Sequence, residues 1–367
     1  MKTQRIAYID RLRIMAAFFV IFMHTAATAL RRGFGADWEL SNALTSLAFT
    51  AVPIFFMISG FLLLSDERTE DLSVLFKRRI PKLLIPLAAW TAVYLVWSLL
   101  CSHRLSAGTL VRGLASAFRW PAATHLWYLY TLIAFYLLSP LLRAMLRAMG
   151  RKLHILLLAL ICAVNLRAVL VSVFPGANFL NWQIFDRMLF FDGNLCSFLL
   201  GFYLGNAKKR VPNGVLIPLT AVLLAAITAA SSFLTHAHGE FDATFMNQSA
   251  GLEVALAACI FLLFRQSFNG APRRISLLPC APLTLGMYLM HLLVISILQR
   301  YGLDALNFPQ ALISSIGNFI FCLLCVKTAA SIKGFGRVFT GLSFAEADRS
   351  CTWQHTFRRL RGAEKGR

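Results

Sequence analysis

Ten apolar runs, each close to the length that crosses a bilayer, constrain this chain more than any other feature. A hydrocarbon core roughly 30 Å thick takes about 20 mostly apolar residues per helix. Runs of that kind occur near residues 14–30, 43–64, 83–102, 125–142, 153–173, 188–206, 214–232, 249–264, 281–298 and 310–330. Inside lipid every backbone polar group has to be satisfied within the protein, so these runs are expected to be helices. Composition agrees: of 367 residues, 58% are hydrophobic and 14% charged, and mean hydropathy is +0.67. The predicted fold class is all-α, a polytopic integral membrane helix bundle of about ten transmembrane helices.

A net charge of +20 on a soluble fold would point to nucleic acid, but here the basic residues sit in the connections between apolar runs, which argues against that partner. Counted on alternate sides of the spans, 27 Lys and Arg fall on one side and 7 on the other. The positive-inside rule then places both termini in the cytosol, consistent with an even number of spans. Residues 1–332 read as one transmembrane domain and 333–367 as a basic cytosolic tail, solvated or bound to lipid headgroups. The first run resembles a signal peptide, with Ala27-Thr28-Ala29 as a cleavage site, but nine further spans make cleavage unnecessary for targeting. Most of the eight cysteines lie in apolar runs, Cys322 and Cys325 included, where they pack as small hydrophobes.

Polar residues inside the runs carry the chemistry. Arg13 and His24 are eleven positions apart, which brings them to nearly the same azimuth of a helix, roughly 16 Å apart along its axis. Arg13 is expected near the cytosolic mouth and His24 about halfway into the bilayer, where an ionisable group usually faces a protein interior or an aqueous cavity. A structural histidine bonded to a neighbouring helix satisfies this spacing equally well. Histidine is also the side chain best suited to take a proton from a hydroxyl near neutral pH.

Lys77, Arg78, Arg79 and Lys82 cluster in FKRRIPKLLIP (76–86). Topology alone accounts for such a cluster, and so does an anion site for a phosphorylated cytosolic ligand, with Arg13 completing it from the same side. In HLWYL (125–129), His125 and Trp127 fit either an aromatic-belt anchor or a platform for a sugar. LGMYLMHLL (285–293) puts Tyr288 and His291 on one helix face. Arg167 and Glu253, each inside a span, are candidates to pair or to line a cavity. The histidines lack metal-ligand spacing, so no metal is expected.

Six segments together resemble one family, the acyltransferase family 3 membrane proteins of the bacterial inner membrane. They are YIDRLRIMAAFFVIFMH (8–24), VPIFFMISGFLLL (52–64), FKRRIPKLLIP (76–86), HLWYLYTLIAFYLLSPLL (125–142), LLGFYLG (199–205) and LGMYLMH (285–291). The chain is most similar to members that O-acetylate bacterial surface polysaccharide. The resemblance implies transfer of an acyl group, usually acetyl, from cytosolic acetyl-CoA as co-substrate to a hydroxyl of an envelope or exported carbohydrate, free or lipid-linked. It implies His24 as the catalytic residue with Arg13 as its arginine partner, and Arg78 and Arg79 as the family's basic motif; by charge Arg13, Arg78, Arg79 and Lys82 are then expected to hold the phosphates of acetyl-CoA, and by residue type His125, Trp127, Tyr288 and His291 are expected at the acceptor.

Where relatives often carry a second arginine three residues after the first, this chain has Lys82 after Arg79, which keeps the charge but loses the bidentate fork. Some relatives carry a further hydrolase-like domain. Only residues 331–367 follow the last run here, which implies direct action on the acceptor or a separate partner. His24 then deprotonates the acceptor hydroxyl or briefly carries the acyl group, the general-base route being favoured. The alternative is a transporter or flippase of a lipid-linked sugar or small molecule, against which stands the lack of matched, broken helices in two halves.

Overall fold

The computed structural model describes residues 6–32, 34–173, 193–247, 251–268, 278–348 and 351–356. Among them are helices and no strand, as the satisfaction of backbone groups in lipid requires. In chain order the first are α1 (Ala7–Leu30), α2 (Ala36–Phe49), α3 (Ala51–Leu64), α4 (Ile80–Cys101) and α5 (Ala107–Ser116). Then come α6 (Trp127–Ala148), α7 (Arg151–Val173), α8 (Gly193–Asn206), α9 (Asn213–His238) and α10 (Gly251–Ser267). The last are α11 (Thr284–Arg300), α12 (Phe308–Ser331), α13 (Phe335–Thr340) and α14 (Phe344–Asp348).

Seven helical segments among the described residues are long and apolar enough to span: Ala7–Leu30, Asp37–Leu64, Leu72–Cys101, Thr124–Ala148, Asn213–His238, Leu278–Arg300 and Phe308–Ser331. Of the other expected spans, 153–173 coincides with α7. The runs 188–206 and 249–264 become α8 and α10, with residues 188–192 and 249–250 outside the described residues. Helix α1 begins at Ala7, well before the expected start at 14. Its first turns are buried through Tyr8, Ile9 and Leu12, and Asp10 in the first turn favours the helix dipole and pairs with Arg13 at 3.7 Å.

The chain divides into two compact units, Met1–Glu70 with Ser139–Leu278 and Asp304–Ile316, and Asp71–Leu138 with Pro279–Leu303 and Gly317–Arg367. In the first, α1 packs on α2 and α3, and α3 packs most extensively on α8. The sequence Gly201-Phe-Tyr-Leu-Gly205 explains that closeness. A Cβ on Gly201 would lie 2.0 Å from the Met57 carbonyl oxygen, and one on Gly60 would lie 1.7 Å from that of Phe198. Small residues at such spacing let two backbones touch where lipid offers no hydrophobic drive for association. Phe22, Phe56, Phe198 and Phe261 fill the core. Glu70 binds Arg143 at 3.2 Å and Arg147 at 3.1 Å, and Arg143 also donates to the Leu64 carbonyl at 2.6 Å.

In the second unit α13 lies on α4, with the Trp90 indole donating to the Phe339 carbonyl at 3.2 Å. Leu283, Met287, Cys322, Val326, Ala330, Ala347 and Cys351 form its buried apolar cluster. Residues 335–348, expected to be solvated or headgroup-bound, are therefore folded onto α4 and α12. Their apolar side chains find a protein surface before they would reach lipid. Residues 357–367 of the tail lie outside the described residues. The cysteines are unbridged, and Cys322 donates to Asn318 Oδ1 at 3.1 Å, as expected of helix-packing thiols.

Candidate active site

In the first unit α1 carries Arg13 and His24, each six residues from its own end of the helix. His24 therefore lies about 9 Å from the C-terminal end of α1, nearer that end than the expected midpoint. Its neighbours Phe22, Thr25 and Ala26 are buried, whereas His24 itself is half-buried, and so is Arg13.

The basic cluster belongs to the second unit. A short helix, Leu72–Val74, capped by the Asp71 carboxylate, leads into a π-turn at Leu75–Arg79 and then α4. The wider turn redirects consecutive side chains, a feature often found at functional sites. Lys77 and Arg78 are exposed and Arg79 is half-buried. Lys82, one turn on, pairs at 2.5 Å with Glu346 of α14. Burial pushes the Glu346 carboxyl up, but hydrogen bonds from Lys82 and Ser343 outweigh it and hold the group below its ordinary value. Arg13 is in the other unit, so the four expected donor-site residues do not form one cluster inside either unit.

The structure brings His125, Tyr288 and His291 together within the second unit. His125 is buried in the single turn Thr124–Leu126, its ring 5.3 Å from Tyr288, 5.2 Å from His291 and 5.1 Å from Tyr94, all edge-on. The Tyr288 hydroxyl donates to the His125 carbonyl. Tyr94 donates to the Leu289 carbonyl at 2.8 Å and accepts from Leu293 N–H at 3.1 Å, which ties α4 to α11. His291 Nδ1 lies 2.5 Å from the Tyr288 carbonyl, which requires the proton on Nδ1 and leaves Nε2 as the basic nitrogen. Asn318 donates to the His291 carbonyl at 3.3 Å. Trp127 stands aside, edge-on to Tyr128 at 6.4 Å, and Tyr128 meets Tyr288 at 5.4 Å.

Sequence reasoning missed Tyr94 and Asn318, each a lone polar residue in an apolar run. Their register to Leu289 and His291 was the missing signal. The Arg167–Glu253 pair does not form: Glu253 is fully buried, and neither carboxylate oxygen has a hydrogen-bond partner among the described residues. Among those residues, too, no group of three His, Cys, Asp or Glu side chains is placed to hold a metal.

An all-α bundle with several membrane-length helices and polar groups set into their faces defines a multi-pass membrane protein. A family model described as an acyltransferase domain, that of acyltransferase family 3, matches residues 6–327. The chain belongs to that family and is a membrane acyltransferase. No curated protein and no solved structure matches it.

Proposed function

We propose that the protein moves an acetyl group from cytosolic acetyl-CoA to a hydroxyl of an envelope or exported carbohydrate, with His24 as general base. It would act in the bacterial inner membrane with both termini cytosolic. The observation that carries this reading is His24 itself, half-buried on the face of α1 that also carries Arg13. In the step proposed, the imidazole takes the proton of the acceptor hydroxyl while its oxygen attacks the thioester carbonyl. The carbon–sulfur bond breaks, and the proton passes from His24 to the departing thiolate of coenzyme A. Arg13, Arg78 and Arg79 each carry the charge and forked donors that a phosphate of the acyl donor takes. Lys82, paired with Glu346, adds a further cation one turn after Arg79. His125, Tyr288 and His291, and Trp127 apart from them, have rings and polar atoms that suit the apolar faces and hydroxyls of a sugar once the buried cluster opens to it.

Loss of carbohydrate acetylation in a strain lacking the gene, read by mass spectrometry and restored by the wild-type protein, tests the reading. Normal acetylation in that strain would reject it.

A further inference from the structure

A pocket of about 270 Å³ opens at the C-terminal end of α1, where the chain turns into α2. Its walls include Arg32, Phe34, Asp37, Trp38, Ser41 and Asn307, all from the first unit. Ser41 is completely buried, yet its hydroxyl has no hydrogen-bond partner among the described residues. Arg32 and Asp37 are exposed, and among the described residues neither has an ion-pair partner. The Trp38 indole is fixed by donating to the Leu30 carbonyl at 3.0 Å. Phe34 is 48% exposed, stands edge-on to Trp38 at 5.6 Å and packs on the His236 ring at 4.8 Å. Asn307 accepts from Gln310 N–H at 3.0 Å, which leaves its amide N–H groups as donors.

These groups exclude most ligand classes. A phosphate or carboxylate meets the Asp37 carboxylate, a cation meets the Arg32 guanidinium, and an apolar molecule leaves both charges unanswered. A neutral ring rimmed with hydroxyls answers the accessible groups: it donates to Asp37, accepts from Arg32 and Asn307, and lays its C–H face on Phe34. The volume suits about one such ring, being near the lower end of small-molecule sites at roughly 300 Å³.

We infer that this pocket is a second carbohydrate subsite, holding a neutral sugar residue further along the acceptor from the one that is acylated, so that the acceptor is an oligosaccharide. Ala29 lines the pocket five residues after His24, about 7.5 Å further along α1 and about 140° around it. That offset puts the pocket on the other side of α1 from His24, so a sugar held there is further along the acceptor than the residue that reacts. The inference rests on the carbohydrate-acceptor reading above.

The test uses full-length protein in nanodiscs and oligosaccharides released from the host's own envelope polysaccharide and freed of acetyl groups by mild alkali. Arg32→Gln, Asp37→Asn and Phe34→Ala alter exposed side chains. Each is expected to raise KM for the oligosaccharide about tenfold, the loss of one charge-assisted bond or one ring contact. Their kcat should stay within about twofold, and acetylation of the corresponding monosaccharide, which does not reach the subsite, should be unchanged. An unchanged KM, or equal losses on oligosaccharide and monosaccharide, would overturn the inference. Saturation-transfer NMR without acetyl-CoA separates it from the catalytic reading. Oligosaccharide contact in the wild type that is lost in the variants supports the subsite even if no transfer occurs, and absence of contact in the wild type overturns it.

Discussion

His24 and Tyr288 show how much a single polar group means inside an apolar bundle. Arg13 is 32% exposed and its contact with Asp10 is long, so Arg13→Ala should leave the fold intact, costing less than about 1 kcal/mol. Its expected effect is on the donor, with acetyl-CoA affinity about tenfold weaker by calorimetry. Unchanged affinity would remove Arg13 from the donor site. Tyr288→Phe keeps the ring contacts but removes the hydroxyl that donates to the His125 carbonyl, leaving a buried acceptor. About 1–3 kcal/mol of stability should be lost, measured as a lower unfolding temperature, with a rise in acceptor KM larger than any change in acetyl-CoA affinity. The shared face of Arg13 and His24 was legible in the sequence because helical periodicity relates residues close in the chain. The meeting of His125 with Tyr288 and His291 was not, because it depends on the tertiary register that Tyr94 sets between α4 and α11.

At the scale of the element, two packing devices invite tests. Gly201→Leu would drive a side chain into the Met57 backbone, so the protein is expected to lose several kcal/mol or fail to accumulate, as seen by fluorescence-detection size exclusion. Gly317→Ala, where a Cβ would meet nothing within 4 Å, is the matched control. The Lys82–Glu346 pair holds α14 against the base of α4. The Glu346 carboxyl is depressed in the folded protein, so its contribution is present above the unfolded value near 4.5 and is lost as pH falls through the lower folded value. Cleavage of the C-terminal segment by pepsin should therefore rise as pH falls below about 4.5 in the wild type. Glu346→Gln should be cleaved readily throughout that window, and a wild type insensitive to pH would show that the pair does not hold the segment. This contact was not legible beforehand, since an acidic residue in a basic tail reads as a solvated charge until α13 turns the chain back.

For the whole molecule, the apolar runs were legible because bilayer thickness dictates their length, and their helical state because lipid leaves the backbone no other choice. The two compact units were not, since each draws on segments far apart in the chain. The family match over residues 6–327 agrees with the ordered motifs read from the sequence. The proposed cytosolic C-terminus, read from the distribution of Lys and Arg, predicts that a fluorescent protein fused after Arg367 fluoresces while periplasmic alkaline phosphatase fused there stays inactive. The central claim is chemical, and it is tested most directly by transfer from radiolabelled acetyl-CoA to de-acetylated envelope polysaccharide, comparing wild type with His24→Ala in nanodiscs. Transfer should fall at least about 100-fold, the usual worth of a general base, while acetyl-CoA binding and unfolding temperature hold. Transfer by His24→Ala at the wild-type rate would contradict the assignment.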